Sequence, residues 1–276
     1  MKNCSNEQTI KDFIGILKCL HTDSNFEELK NYFEEQANLL SSMSYVSSIK
    51  NDVQIFMNYD GEKKHSQDKR ILDFGCGTGI VSTILGAYSE QIYAVDYLGE
   101  RIDGWSKDIL NNVYSLIWKQ VSEKHKINFS FYERFPLSFP NEHFDVIIMY
   151  AVLEHIDNDT LIKNVFAEIS RLIKPNGILC IGKLPRVWSV HEKIAKMLNM
   201  GAHEKLFKRK EALYVLEKHG FIVKQIDNTD LLFQQPAKVM NVFYPMSKYI
   251  ERFSSVPLVN MFAHNFRIIA QKNNKY

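Results

Sequence analysis

Apolar residues in the first 57 positions recur at helical spacing. Phe13, Ile14, Leu17 and Leu20 fall at i, i+1, i+4 and i+7, and Phe26, Leu29, Tyr32, Phe33 and Ala37 repeat the pattern after Asp23 or Ser24, either of which can serve as N-cap. Val46, Ile49, Val53, Phe56 and Met57 form a third stripe. The polar run over 58–69 (NYDGEKKHSQDK) reads as a link, so residues 1–65 are expected to be a helical N-terminal extension.

From Lys69 the period changes. Apolar runs of strand length at 70–74, 91–95, 127–132, 144–150 and 178–182 alternate with helical stretches at 78–87, 101–124 and 157–173, the last capped by Asp157 or Asn158. The run 144–150 (FDVIIMY) is almost wholly apolar, as a strand buried on both faces of a parallel sheet must be. Further along, 187–198 and 208–219 read as helices, and 221–226 and 265–271 as strands. Repeated strand–helix units imply right-handed crossovers. The expected fold is α/β, Rossmann-like and doubly wound, with a mostly parallel seven-stranded sheet and an insertion before the last strand.

The first strand runs into Asp73-Phe74-Gly75-Cys76-Gly77-Thr78-Gly79. A glycine turn at the end of a strand lets a ligand approach the backbone, and the following helix aims N–H groups and its positive dipole end at that place. Asp96 ends the second strand, 17 residues after Gly79. An acid there can accept hydrogen bonds from both hydroxyls of a ribose, so turn and acid together specify an adenosine-containing ligand.

Composition narrows the partners. The 276-residue chain carries a net charge of only +2, which gives no footprint for general nucleic-acid binding. Charge is uneven: from Leu231 onward Lys238, Lys248, Arg252, Arg267, Lys272 and Lys275 face a single acid, Glu251, among many aromatics. This basic aromatic segment reads as core plus solvated rim, or as a platform for a lipid-linked substrate or peripheral membrane contact. Cys4, Cys19, Cys76 and Cys180 contain no C-x-x-C pair, and no apolar run reaches ~18 residues, so a cytoplasmic protein without a membrane span is expected. Lys11, Asp12 and Lys18 interrupt the one N-terminal stretch that could imitate a signal peptide. No His/Cys/Asp cluster shows metal spacing along the chain.

The D-x-G-x-G-x-G spacing differs from the G-x-G-x-x-G of dinucleotide binders and resembles class I S-adenosylmethionine-dependent methyltransferases of the type 11-like group. Three further stretches extend the resemblance across residues 70–183. They are Glu133-Arg134-Phe135-Pro136-Leu137-Ser138-Phe139-Pro140 with Phe144-Asp145, then Val152-Leu153-Glu154-His155, and Glu168-Ile169-Ser170-Arg171-Leu172-Ile173-Lys174-Pro175-Asn176-Gly177. Asn176 stands where glycine is usual, a mild departure because asparagine tolerates a left-handed turn. The segment Gly201-Ala202-His203-Glu204-Lys205-Leu206-Phe207 adds a weaker similarity to ubiquinone-biosynthesis O-methyltransferases.

The resemblance implies an S-adenosyl-L-methionine cofactor and a methyltransferase domain over 66–276. Gly75, Cys76, Gly77 and Gly79 would hold the methionine end with Asp73 nearby. Asp96 would bind the ribose, Tyr97 or Leu98 would flank the adenine, Glu133 (with Arg134) would face its amino group, and Tyr150 would sit beside the sulfonium. His155, after the fourth strand, is the candidate general base. Met149-Tyr150-Ala151-Val152 lacks the Asp/Asn-Pro-Pro-aromatic motif of amino-directed nucleic-acid enzymes, which leaves a small or lipid-linked acceptor, most naturally methylated at oxygen. Residues 183–207 and 228–263 and the N-terminal helices are where acceptor choice is expected to reside. A nicotinamide-dependent oxidoreductase and a non-catalytic partner protein are the alternatives. The sequence leaves the oligomeric state and the acceptor open.

Overall fold

The computed structural model describes residues 3–22, 30–59, 68–98, 107–156, 158–197, 203, 205–231 and 262–273, together with 241–242, 246, 249–250 and 256. Three helices come first: α1 (Asn3–Thr22), α2 (Lys30–Leu40) and α3 (Met43–Asn58), the last capped by the Ser42 hydroxyl. The caps expected at Asp23 or Ser24 lie outside the described residues, as does most of the 58–69 link.

The strands are β1 (Arg70–Phe74), β2 (Gln91–Tyr97), β3 (Ile127–Tyr132), β4 (Phe144–Tyr150), β5 (Ile173–Pro185), β6 (Phe221–Thr229) and β7 (Asn265–Lys272). They form one sheet in the order β3-β2-β1-β4-β5-β7-β6. The first five pair in parallel, and β7 runs antiparallel to both β5 and β6. The connecting helices are α4 (Ile80–Leu85), α5 (Lys107–Lys124), α6 (Asp159–Leu172), α7 (Val190–Met197) and α8 (Arg209–Lys218). The sheet is therefore the expected one, with the antiparallel β6–β7 hairpin closing its far edge.

Side chains alternate across the sheet and divide the core in two. Ile71, Ile92, Ala94, Val146, Ile148, Cys180 and Ile269 pack toward α1–α5, where Phe13, Leu17, Phe33, Ile49, Val53 and Phe56 share their core. Leu72, Phe74, Ile147, Met149, Leu179 and Ile181 pack toward α6 and α8. The N-terminal extension thus covers one face of the sheet directly.

Two of the motif stretches serve the scaffold. Glu168 on α6 accepts the Leu137 N–H at 2.7 Å and pairs with Arg171, whose guanidinium also donates to the Leu137 and Phe139 carbonyls. This clamps the loop before β4 onto α6. Asp145 accepts the Arg70 N–H at 2.9 Å and a 2.6 Å bond from Lys174, joining the starts of β1, β4 and β5.

Several boundaries differ from the sequence expectation. The helix after the glycine turn begins at Ile80 because the turn itself consumes Thr78 and Gly79. Of the expected 101–124 helix, residues 107–124 are helical, and 101–106 lie outside the described residues. Asn158 caps α6 through its carboxamide oxygen; Asp157 lies outside the described residues. Strand β5 extends from Ile173 to Pro185 because a register shift absorbs the Pro175-Asn176-Gly177 bend, with Asn176 at φ 62°. Strand β6 continues to Thr229, and α7 spans Val190–Met197. Among the described residues, no helix is long and apolar enough to cross a membrane. Most of the basic aromatic segment lies outside the described residues.

Candidate active site at the carboxyl edge of the sheet

The strand order reverses between β1 and β4, and in open α/β sheets ligands bind beyond the strand ends at such a point. The glycine turn leaves β1 here and Ala151-Val152 leave β4. The two connections touch: a Cβ at Gly75 would stand 2.6 Å from Val152 Cγ2. A Cβ at Gly79 would stand 2.8 Å from the Phe129 ring. Gly77 differs, because at φ 52° a Cβ there would meet nothing within 4 Å. Gly75 and Gly79 fit the turn against protein, whereas Gly77 presents backbone to open space.

Asp96 reaches across from β2. Its carboxylate accepts the Gly77 N–H through Oδ2 and the Tyr97 N–H through Oδ1 at 2.7 Å. Trp118 on α5 donates its indole N–H to the Gly77 carbonyl at 2.9 Å, and its ring stacks on Phe129 at 5.0 Å. Beneath the turn Asp73 accepts the Ser82 hydroxyl, which locks the start of α4 to β1. Burial, opposed by the Ser82 bond and assisted by Asp96, lifts the Asp73 carboxyl to about 7. Burial also pushes the Cys76 thiol well up, which keeps it protonated.

On the other side, Tyr97 is 37% exposed and its ring lies 5.5 Å from Tyr132, which stacks on Phe135. These aromatic surfaces border the β2 and β3 ends. Glu133 and Arg134 are exposed beside them.

A buried charged network fills the space between α3 and the ends of β4, β5 and β7. The Tyr150 hydroxyl donates to Asp52 at 3.2 Å, and Asp52 pairs with Arg267 at 2.7 Å. Arg267 in turn binds Asp227 at 2.7 Å. Next to it, Lys183 pairs with Asp230 at 2.7 Å and bonds Ser48, while Asn265 donates to Asp230 at 2.7 Å. The Lys183 ammonium lies 5.6 Å from the Tyr45 ring. Burial alone would raise Asp230, but Lys183 and the surrounding donors hold it well below the usual carboxylate range. Burial, with Asp52 and Asp230, keeps the Tyr150 phenol far above its ordinary value. Ala151, Lys183 and Asp230 all adopt positive φ, between 55° and 59°, at this one edge. Left-handed backbone in non-glycine residues costs free energy and gathers where a site requires it.

The short 3-10 turn Leu153–His155 separates two neighbours. His155, the base expected from the sequence, is exposed. Glu154 is 5% exposed, and its Oε2 has no hydrogen-bond partner. Burial foremost raises its carboxyl to about 7, against the pull of His203 and Lys183. The buried titratable group of this turn is therefore Glu154.

The structure brings Asp73, Cys76, the glycines, Asp96 and Tyr97 together, and sets Tyr150 in the adjoining charged network. Sequence reasoning passed over Trp118, Asp52, Lys183, Asp230, Arg267 and Glu154. Tyr45, Ser48 and Asp52 lie at i, i+3 and i+7 on the same helix face as Ile49 and Val53, a polar stripe on a buried surface that a helical projection would have exposed. A separate cavity of about 410 Å³ lies between α6, α8 and the end of β5 and includes none of the glycine turn.

This sheet order, with a glycine turn and strand-end acid at the switch point, defines a methyltransferase fold. The chain matches the methyltransferase domain family over residues 54–226 and belongs to it; it is an S-adenosylmethionine-dependent methyltransferase. Ubiquinone biosynthesis O-methyltransferase of Glaesserella parasuis is 25% identical over 174 residues, 57% of this chain and 67% of that protein. The corresponding Pelagibacter ubique protein is 27% identical over 181 residues, 60% of this chain and 68% of its own length. The chain spans only 57% of the Haemophilus ducreyi relative. Among solved structures, a methyltransferase of Thermotoga maritima superposes with TM-score 0.57 at 14% identity, covering 90% of this chain and 98% of that one. Phosphoethanolamine N-methyltransferase 2 of Haemonchus contortus, bound to phosphomonomethylethanolamine and S-adenosylhomocysteine, gives TM-score 0.54 at 17% identity, over 81% of this chain and 52% of that one. These likenesses show the fold.

Proposed function

We propose that this chain methylates a hydroxyl oxygen of a small or lipid-linked acceptor, with S-adenosyl-L-methionine held at the Gly75–Gly79 turn. The observation that carries the oxygen assignment is Glu154, a buried carboxyl raised to about 7 with an unpartnered oxygen beside the charged network. The residues of the turn fit the cofactor: Gly77 presents backbone to open space, and Asp96 is aimed at it. Asp96 would take the ribose hydroxyls, and Tyr97 with Tyr132 the adenine face. Tyr150, fixed by Asp52, would border the sulfonium. When bound, the cofactor supplies an electrophilic methyl group on a sulfonium, a good leaving group.

The protein's part is placement and proton removal. Holding nucleophile and methyl in line can supply an effective molarity of roughly 10⁵–10⁸ M. Glu154 accepts the acceptor's hydroxyl proton as the oxygen–methyl bond forms and the sulfur–methyl bond breaks, in place of the exposed His155. Lys183 and Arg267, with their acids, supply polar contacts of fixed orientation for the acceptor. The names of the curated relatives support methylation at oxygen.

Label transfer from methyl-labelled cofactor to paired phenolic and amine acceptors tests this reading. Product carrying one added methyl on oxygen, lost with Glu154→Gln, supports it. Transfer to amines alone overturns the oxygen assignment.

A further inference from the structure

Beyond methyl transfer, we propose that Glu192, His203 and His264 form a binding site for a divalent first-row transition cation of the zinc class. Three elements distant in sequence meet there. Glu192 comes from α7, His203 from the connection between α7 and α8, and His264 from the residue before β7. One ligand atom from each lies within 4.8 Å of the others. Sequence spacing could not reveal this cluster, because 61 positions separate the two histidines and the chain path alone joins them.

The donor atoms converge on one point. Glu192 Oε1 lies 2.6 Å from His203 Nδ1 and 3.4 Å from His264 Nε2. Zinc bonds of about 2.0–2.1 Å in tetrahedral array put ligand atoms ~3.3 Å apart. The Glu192–His264 separation already matches, and the Glu192–His203 pair needs to open by less than ~1 Å. A second layer of bonds sets the ligands. His264 Nδ1 shares a 2.9 Å hydrogen bond with the Ser189 hydroxyl, which leaves Nε2 toward Glu192. Ser189 Oγ also accepts the Glu192 N–H, and the other Glu192 oxygen accepts the His203 N–H at 2.9 Å. Such support orients metal-bound imidazoles. His191 completes the wall, its ring 5.2 Å from that of His264.

Glu154, 5% exposed, lies within electrostatic reach of His203 and Glu192 and adds a further buried acid near the three ligands. Two imidazoles and one carboxylate leave an open coordination position, as in zinc sites that engage a further oxygen ligand. That position could take an acceptor oxygen, a role that rests on the O-methylation reading above; the site itself does not.

The test is titration of chelator-treated full-length protein with Zn²⁺ by calorimetry and with Co²⁺ by visible absorption. One equivalent should bind, with the Co²⁺ spectrum of a low-coordinate nitrogen and oxygen site. Glu192→Gln and His264→Asn, which keep side-chain size, should each weaken Zn²⁺ binding at least about tenfold, while circular dichroism shows them folded. No stoichiometric uptake, or equal uptake by the variants, overturns the proposal and leaves an ion-paired histidine cluster. S-adenosylhomocysteine affinity, read on the same samples, reports separately on the methyl-transfer reading.

Discussion

Asp52 of the third N-terminal helix and Arg267 of the last strand meet in a 2.7 Å hydrogen-bonded pair, with Asp52 1% and Arg267 8% exposed. The pair joins the helical extension to β7 and fixes the carboxylate that receives the Tyr150 hydroxyl. Burial lifts the Asp52 carboxyl to about 6 even with Arg267 against it, so the pair is ionised at neutral pH.

Removing Asp52 leaves the buried Arg267 with Asp227 as its remaining acid. Asp52→Ala is therefore expected to lower unfolding free energy by less than the ~3–5 kcal/mol of a fully uncompensated buried charge, read in urea titration. Asp52→Leu with Arg267→Met removes both charges and should cost less than Asp52→Ala alone. Equal losses would show that the pair does not hold the extension to the sheet.

Asp73 makes stability fall as pH rises. Its carboxyl is lifted from 3.8 to about 7, chiefly by burial. Below about pH 4 it is protonated in both folded and unfolded chains, and the stability of the buried neutral form is fully present. As pH rises toward 7 the unfolded chain loses its proton first, so stability declines by at most ~1.4 kcal/mol per pH unit and levels above the folded value. Asp73→Asn should flatten that decline in urea titrations at stepped pH; an unchanged slope contradicts the assignment.

Glycines of one turn should respond differently. At Gly75 an added Cβ strikes Val152 at φ 77°. Overpacking and left-handed backbone together make Gly75→Ala cost ~2–4 kcal/mol. At Gly77 a Cβ meets open space, so Gly77→Ala should cost only ~1–2 kcal/mol of left-handed strain and instead lose cofactor affinity. Melting curves with and without S-adenosylhomocysteine separate the two effects.

Glu154→Gln should lower the single-turnover rate by ~10²–10⁴-fold with cofactor affinity retained, and remove a rise in rate near pH 7. His155→Ala should leave the rate close to that of the unaltered protein. The reverse outcome would return the proton-accepting role to His155.

The sheet was readable because central parallel strands are apolar on both faces and end at turn residues; β1, β3 and β4 begin and end where their apolar runs do. The glycine turn and Asp96 were readable because residue type and spacing encode them locally. The pairings Asp52–Arg267 and Lys183–Asp230 were not, since Lys183 and Arg267 are single charges in apolar runs and each finds its acid only across the fold. His155 drew attention by its chemistry, yet a single 3-10 turn buries Glu154 and exposes its neighbour. The end of β5 grew longer than its pattern because a register shift at Lys183 lets the strand continue past a left-handed residue.

Calorimetric titration of S-adenosylhomocysteine into the unaltered protein and Asp96→Ala tests the central claim most directly. The bond from Gly77 to Asp96 and the open space at Gly77 predict one saturable site. Loss of charge-assisted bonds worth ~1.5–3 kcal/mol predicts roughly 10- to 100-fold weaker binding by Asp96→Ala. Absence of binding by the unaltered protein, or equal affinity in the variant, would contradict the placement of the cofactor at this turn.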